Sequence, residues 1–132
     1  MDTFFAVLLL VTAVVTVAYW IDFFLHGTVN VVDEEWYLRF QRAFPVADAW
    51  MSACAVIGAV GLLTGSGVGV AFSLAAAGAL VFLGLMDVTF NIDNGLYRHL
   101  ATSAPMRAEL VINVWTIGLG ATLVAYLAGR VS

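Results

Sequence analysis

The stretch Leu85-Met86-Asp87-Val88-Thr89-Phe90-Asn91-Ile92-Asp93-Asn94-Gly95 is the point where a long apolar run turns polar. No residue between Ala49 and Met86 carries a formal charge, and Asp87 appears where the chain is still hydrophobic enough to lie in a bilayer. On a helix, Gly84, Asp87 and Asn91 share one face, so the glycine leaves space beside the acid and the amide. Ionisable groups at membrane depth are costly and usually face a protein interior or water. The stretch therefore predicts a functional site.

Composition places the chain in a membrane. Of its 132 residues 63% are hydrophobic, and the mean hydropathy is +1.01, far outside the range of soluble globular domains. The net charge is −4 and lysine is absent, which argues against nucleic-acid binding. Cys54 is the only cysteine, so neither a disulfide framework nor a multi-thiolate metal site is expected. The N-terminus lacks the basic region of a secretory signal, so we expect the first apolar segment to be retained as an anchor.

The apolar segments predict the fold. A spanning helix needs ~20 mostly apolar residues, and the sequence supplies such a segment four times. We predict an all-α integral membrane protein, a single membrane domain of residues 1–132 that forms an antiparallel four-transmembrane-helix bundle. The predicted spans are about 3–25, 46–63, 68–90 and 105–129.

A short amphipathic helix is predicted between the first two spans, at about 33–44. Asp33 suits the N-cap, and Glu35 and Arg39 can form an ion pair at i, i+4. One side of this helix carries Trp36, Phe40, Ala43 and Phe44. These aromatic residues favour a position in the membrane interface, facing lipid or the bundle. Both a lid over a site and a plain connector remain open for this segment.

Small residues repeat along the third span. Gly69, Ser73 and Ala77 recur every four residues, and such surfaces let helix backbones approach closely in membranes. The sequence leaves open whether this surface packs within the chain or against a second copy, so a homodimer remains an alternative.

Each span carries an acid near the same end of the bundle, with a polar partner about one turn further along. The pairs are Asp22 with His26, Asp48 with Ser52, Asp87 with Asn91, and Glu109 with Asn113. If these stripes face inward, the carboxyl groups meet in one sheltered chamber. Like charges in a weakly hydrated space cannot all stay ionised, so acid and base roles would separate among them. The simpler interpretation is that these acids only mark helix ends, as a first-turn acid such as Asp48 does by interacting with the helix dipole.

This arrangement favours a small intramembrane enzyme that uses carboxyl groups as general acid and base on a lipophilic substrate, in an isomerisation, cyclisation or epoxide opening. We predict Asp22, Asp87 and Glu109 as catalytic residues, with Asp87 or Glu109 as the proton donor and Asp22 as the base or cation stabiliser. The predicted substrate-binding residues are Tyr19, His26, Asp48, Asn91, Asn113 and Trp115. No cofactor and no metal are expected, because the two histidines do not form a ligand-spaced pair.

The overall plan resembles that of the sterol isomerases of the emopamil-binding-protein family, which also gather acids and a tryptophan-bearing last helix at one end. The resemblance is one of architecture, and it implies proton chemistry on a lipophilic ligand.

Two other functions fit the same residues: a small dimeric transporter or channel coupled to protons or cations, and a non-catalytic lipid-binding protein. The expected partners are the lipid bilayer and a hydrophobic small-molecule ligand. For a transporter or channel, the bound species would be a proton or a cation. The location predicted is the cell membrane. Arg39, Arg42, Arg98 and Arg107 lie at the polar end, against Arg130 at the other. The positive-inside tendency therefore predicts a cytoplasmic polar end and both termini outside.

Overall fold

The computed structural model describes residues 1–131, which form a four-helix bundle with one short additional helix. The helices are α1 (Asp2–Leu25), α2 (Glu35–Gln41), α3 (Pro45–Thr64), α4 (Gly67–Asp93) and α5 (Ala104–Leu127). Short 3₁₀ turns, Leu96–His99 and Ala128–Arg130, flank α5. No strand occurs within residues 1–131. By length and composition, four helices could cross a membrane, which confirms the predicted helical class and the number of long apolar helices.

Local sequence signals set the helix ends. Gly65 adopts φ +72°, a left-handed conformation that favours glycine, and it ends α3 two residues before α4 begins. Ser66 and Ser103 cap α4 and α5, because their hydroxyl oxygens accept hydrogen bonds from the Val68 and Met106 N–H groups at 3.3 and 3.2 Å.

Helix α2 differs from the prediction in its length and in its N-cap residue. It covers Glu35–Gln41 rather than 33–44, and the predicted cap at Asp33 is wrong: Glu34 holds the N-cap position, and its side chain instead accepts a hydrogen bond from the Trp36 indole. Residues 42–44 form a turn, and α3 begins directly after it at Pro45. The predicted ion pair is confirmed, with Arg39 Nε 3.4 Å from Glu35 Oε1.

The bundle-facing residues of this segment are Tyr37, Gln41 and Phe44, which are buried, whereas Trp36 is exposed. A contact distant in sequence accounts for this orientation. The Phe40 ring stacks on Phe90 of α4 with centroids 3.8 Å apart and planes 6° apart. Helix α2 thus lies against the polar end of the bundle.

Small residues bring α3 and α4 together. A Cβ added at Gly58 would lie 2.5 to 2.9 Å from Ser73 atoms, and one at Gly61 would meet the Gly69 backbone. The small-residue surface of α4 therefore packs within the chain, on α3, which answers the question that the sequence left open. Gly120 of α5 approaches α4 in the same way, because its Cβ would lie 2.7 Å from the Ala77 carbonyl oxygen.

Helix α1 packs on α3, α3 on α4, and α4 on α5. The seam between α1 and α5 is joined by side chains. At the end where the termini lie, the Asp2 carboxylate accepts hydrogen bonds from the Tyr126 hydroxyl at 2.6 Å and from Arg130 at 2.7 Å. Near the middle of both helices, the Trp115 indole N–H donates to the Thr12 hydroxyl oxygen at 2.8 Å. Both of these residues border the cavity described next.

Candidate functional site: a carboxyl-lined cavity

A cavity of about 290 Å³ lies among α1, α3, α4 and α5 at the polar end of the bundle. Its wall is mostly apolar and includes Val15, Met51, Leu80, Leu83 and Ile112. Three acids also line it: Asp48 from α3, Asp87 from α4 and Glu109 from α5. We refer to it as the carboxyl-lined cavity, because three separate helices each contribute one carboxyl group to the same space.

Asn113 connects Asp87 to the segment that precedes α5. The Asn113 Nδ2 donates to Asp87 Oδ2 at 2.7 Å, and its Oδ1 accepts from the Tyr97 hydroxyl at 2.7 Å. Tyr97 belongs to the 3₁₀ turn Leu96–His99, and burial raises the pKa of its phenol above the ordinary value. The phenol therefore remains a neutral donor, which fixes the orientation of the Asn113 amide.

Glu109 is only 4% exposed and is also held by neutral donors. Asn91 Nδ2 donates to Glu109 Oε1 at 2.8 Å, and the Tyr37 hydroxyl donates to Oε2 at 3.4 Å. Asn91 Nδ2 also donates to Asn113 Oδ1 at 3.4 Å, so the amides that hold Glu109 and Asp87 belong to one hydrogen-bonded network.

None of the cavity acids has a cationic partner among residues 1–131. The ion pairs in this part of the chain join Arg39 and Arg42 to Glu35, and Arg130 to Asp2, all at the surface. Asp48 instead accepts from the Trp20 indole N–H at 2.7 Å. Amide, hydroxyl and indole donors therefore position the three carboxyl groups without neutralising them.

Two further polar side chains line the cavity and lack partners among the described residues. The Tyr19 hydroxyl makes no hydrogen bond there. Gln41 is 4% exposed, and its Nε2 is buried without an acceptor. Buried polar groups are normally hydrogen-bonded, so these two leave hydrogen-bonding capacity at the cavity wall unused.

Most of the residues predicted from sequence come together here. The predicted site residues that line the cavity are Tyr19, Asp48, Asp87, Glu109, Asn113 and Trp115. Asn91 lies behind Glu109 and is fully buried. Their assigned roles in catalysis and binding remain predictions.

Asp22, in the last turn of α1, and His26, directly after that helix, lie apart from this group. The Asp22 carboxylate accepts hydrogen bonds from the Thr28 hydroxyl at 2.6 Å and from the Val29 N–H at 2.9 Å, so it organises the turn after the helix. His26 is the exposed residue that ends α1. Backbone N–H groups in the connection after the helix need acceptors, and the Asp22 carboxylate supplies one for Val29.

The sequence interpretation missed Trp20, Tyr37, Gln41 and Tyr97. Tyr37 and Gln41 have a usable signal, because together with Phe44 they follow i, i+4, i+7 spacing along the amphipathic segment. Tyr97 lies in a connecting turn without periodicity, so nothing in its local pattern indicates that it reaches Asn113.

The chain matches no protein-family model, no curated protein and no solved structure, so the interpretation of the cavity depends on its own geometry.

Proposed function

We propose that the protein is a multi-pass membrane enzyme that carries out acid–base chemistry on a lipophilic substrate held in the carboxyl-lined cavity. The observation that supports this most directly is the meeting of Asp48, Asp87 and Glu109, from three helices, in one mostly apolar space without a cationic partner. This lining is poorly complementary to a soluble, charged metabolite. It is complementary to a hydrophobic molecule, whose orientation the few polar groups would fix.

The proposed membrane placement follows from the exterior of the bundle. Large apolar side chains are exposed along the outer faces of the long helices, including Val14 and Phe24 on α1 and Val111 and Val114 on α5. In water such a surface would drive aggregation, whereas lipid would cover it. In the cell membrane, the four long helices would cross in alternating directions and α2 would lie at the interface. The arginine distribution favours a cytoplasmic polar end and external termini.

In the proposed mechanism, Asp87 and Glu109 act together, one protonated and the other ionised, because two carboxyl groups in one mostly apolar cavity cannot both stay charged at low cost. The protonated member donates to the substrate and the ionised member removes a proton from it, so an isomerisation would need no further reactant. Asn113 orients the Asp87 carboxyl group, while Asn91 and Tyr37 orient that of Glu109. Asp48, on α3, would stabilise positive charge that develops on the substrate or act as a second base, the role that the sequence assigned to Asp22.

Access to the cavity would be lateral, between α1 and α5. Both helices line the cavity, and α1 packs directly on α3 rather than on α5. Trp115, 38% exposed, borders the cavity and joins the seam through its hydrogen bond to Thr12. A lipophilic molecule dissolved in the bilayer could therefore enter without crossing the polar surface.

Transport receives less support than catalysis. A transported proton or cation needs polar groups along the whole bundle, and the half next to the termini is filled by apolar side chains. This core includes Phe5, Leu9, Leu62, Leu123 and Leu127. A lipid-binding protein would share the same cavity, so the two functions differ only in whether the bound molecule is converted.

The experiment that tests the proposal combines ligand identification with turnover. Gently purified protein is analysed by mass spectrometry for a co-purifying hydrophobic molecule. The protein is then incubated with a lipid extract of the producing cells in D₂O, and new isomers or deuterated lipids are sought. We expect a product with the wild type and with Asp93→Asn, an exposed control at the end of α4. Asp87→Asn and Glu109→Gln should slow its formation by about 100-fold or more.

Other results would contradict the enzyme assignment. A bound lipid that is never converted by the wild type would indicate a binding protein. Proton or cation flux into liposomes that Asp87→Asn abolishes would indicate a transporter. Equal product formation by the wild type, Asp87→Asn and Glu109→Gln would show that these two acids take no part in the reaction.

A further inference from the structure

The unsatisfied polar groups of the cavity indicate what kind of molecule it binds. Each carboxyl group already accepts at least one hydrogen bond: Asp48 from Trp20, Asp87 from Asn113, and Glu109 from Asn91 and Tyr37. In contrast, the Tyr19 hydroxyl and the Gln41 amide donate to no described residue. The two donors that remain unused at the cavity wall are therefore the Tyr19 hydroxyl and the Gln41 amide nitrogen, and a donor needs an acceptor atom.

Gln41 is the more informative of the two groups. It is the last residue of α2 and is 4% exposed, so water from the surface does not satisfy its amide. Leaving a buried amide nitrogen without a partner costs free energy, and a bound ligand would remove that cost. The terminal bond of a glutamine side chain rotates with a broad two-fold preference, so a modest rotation can turn the nitrogen toward the cavity.

Charge narrows the ligand class further. The cavity wall contains three acids and no arginine, and the sequence contains no lysine, so an anionic group would be repelled. A cationic group would be attracted by the acids, but it would leave the donors of Tyr19 and Gln41 without an acceptor. A neutral oxygen atom satisfies both donors and brings no repulsive charge.

The volume of the cavity limits the size of the apolar part of the ligand. The cavity of about 290 Å³ has about twice the volume of a ~150 Å³ cavity that accommodates benzene. By proportion, the enclosed part of the ligand has roughly twelve non-hydrogen atoms, the size of a bicyclic terpenoid or of one end of a larger lipid.

We propose that the carboxyl-lined cavity binds a neutral lipophile that carries an oxygen acceptor, such as a ketone or an epoxide, and that Tyr19 and Gln41 donate hydrogen bonds to this oxygen. The proposal rests on the proposed function, since it names the substrate class of the same site. Tyr19 and Gln41 are thereby the residues that orient the polar end of the substrate toward the acids.

The test uses four bicyclic probes of one shape: 2-decalone, decalin, protonated 2-decalylamine and decalin-2-carboxylate. Binding to the full-length protein in detergent is followed by the fluorescence of Trp20 and Trp115, which line the cavity, with the exposed Trp36 and Trp50 replaced by phenylalanine. All measurements share the same micelles, so partition of the probes into detergent cancels when variants are compared.

We expect 2-decalone to bind about tenfold more tightly than decalin, and more tightly than both charged probes. Tyr19→Phe and Gln41→Leu should each remove most of the preference for 2-decalone over decalin while leaving decalin binding unchanged. Tyr126→Phe is the matched control, because it removes a tyrosine hydroxyl at the other end of the bundle and should keep the full preference.

Tightest binding of the amine or of the carboxylate would overturn the proposal, as would equal binding of 2-decalone and decalin by the wild type. A preference that survives in both Tyr19→Phe and Gln41→Leu would overturn it as well, and so would the absence of binding by all four probes. These outcomes are separate from the D₂O assay, which tests conversion of cellular lipids. The ligand class can therefore fail while the enzyme assignment stands, and the reverse is also possible.

Discussion

The two halves of this bundle contrast sharply in how their helices meet. In the half next to the termini, Gly61 of α3 lies against the Gly69 backbone, and Leu9 and Leu123 are completely buried. In the half at the polar end, the same helices separate around a cavity of about 290 Å³. The difference follows the size and polarity of the side chains along each helix.

Helix α4 shows the difference within one element. Its first half presents Gly69 and Ser73 to α3 and Ala77 to Gly120 of α5, and these small residues let the backbones approach. Its second half presents Asp87 and Asn91, which are larger and need polar partners in an apolar setting. One half therefore holds the helices in register, and the other leaves room for a ligand beside a positioned set of acids.

The largest effect is expected from a substitution in the tightly packed half. Gly61→Ala would press a methyl group against the Gly69 backbone, which cannot rotate away, so we expect a loss of about 3 kcal/mol in unfolding free energy. Gly78→Ala is the matched control, because no atom lies within 4 Å of its added Cβ. It should be neutral or stabilising by up to ~1 kcal/mol. Denaturant titration in micelles measures both, and equal losses would contradict the assignment of this contact.

A smaller loss of unfolding free energy is expected when the hydrogen bonds of Asn113 to Asp87 and Tyr97 are removed. Asn113→Ala would leave the Asp87 carboxyl group and the Tyr97 hydroxyl without their shared partner, and the expected loss is about 2 kcal/mol. Asn94→Ala removes one exposed hydrogen bond to the Phe90 carbonyl oxygen, so its cost should stay below ~0.5 kcal/mol. The same denaturant titration compares the two. A loss for Asn113→Ala no larger than for Asn94→Ala would show that the network contributes little to stability.

Much of the fold could be predicted because its signals are local. Runs of apolar residues, the Thr64–Gly67 turn and the Ser103-Pro105 helix start identify the four long helices and their ends within a few residues. The sequence left open which side of α2 meets the bundle, because that orientation depends on Phe90, which is distant in sequence and stacks on Phe40. Periodicity within a short helix shows which residues share a side, but not which side meets the bundle.

The candidate site was predictable to the extent that its residues follow helical stripes. Glu109 and Asn113 repeat at one-turn spacing and are buried, as that spacing indicates. Asp22 has the same kind of spacing, but the turn after α1 uses its carboxylate for the Thr28 hydroxyl and the Val29 N–H. Helical spacing predicted an inward position for Asp22, but its carboxylate satisfies donors of the connection that follows the helix.

The smallest effect on stability is expected from the hydrogen bond between Trp115 of α5 and Thr12 of α1. This bond lies near the middle of both helices, between the two halves of the bundle. Trp115→Phe keeps an aromatic ring near the cavity but removes the N–H that donates to Thr12, so we expect a loss of about 1 kcal/mol. Trp50→Phe is the control, because Trp50 is 64% exposed and should change stability by less than ~0.5 kcal/mol. If the seam is the access route, Trp115→Phe should also speed the exchange of a bound lipophile, measured by stopped-flow displacement. An unchanged exchange rate together with the expected stability loss would mean that this hydrogen bond holds the helices together but does not control access, and the route would then have to pass beneath α2.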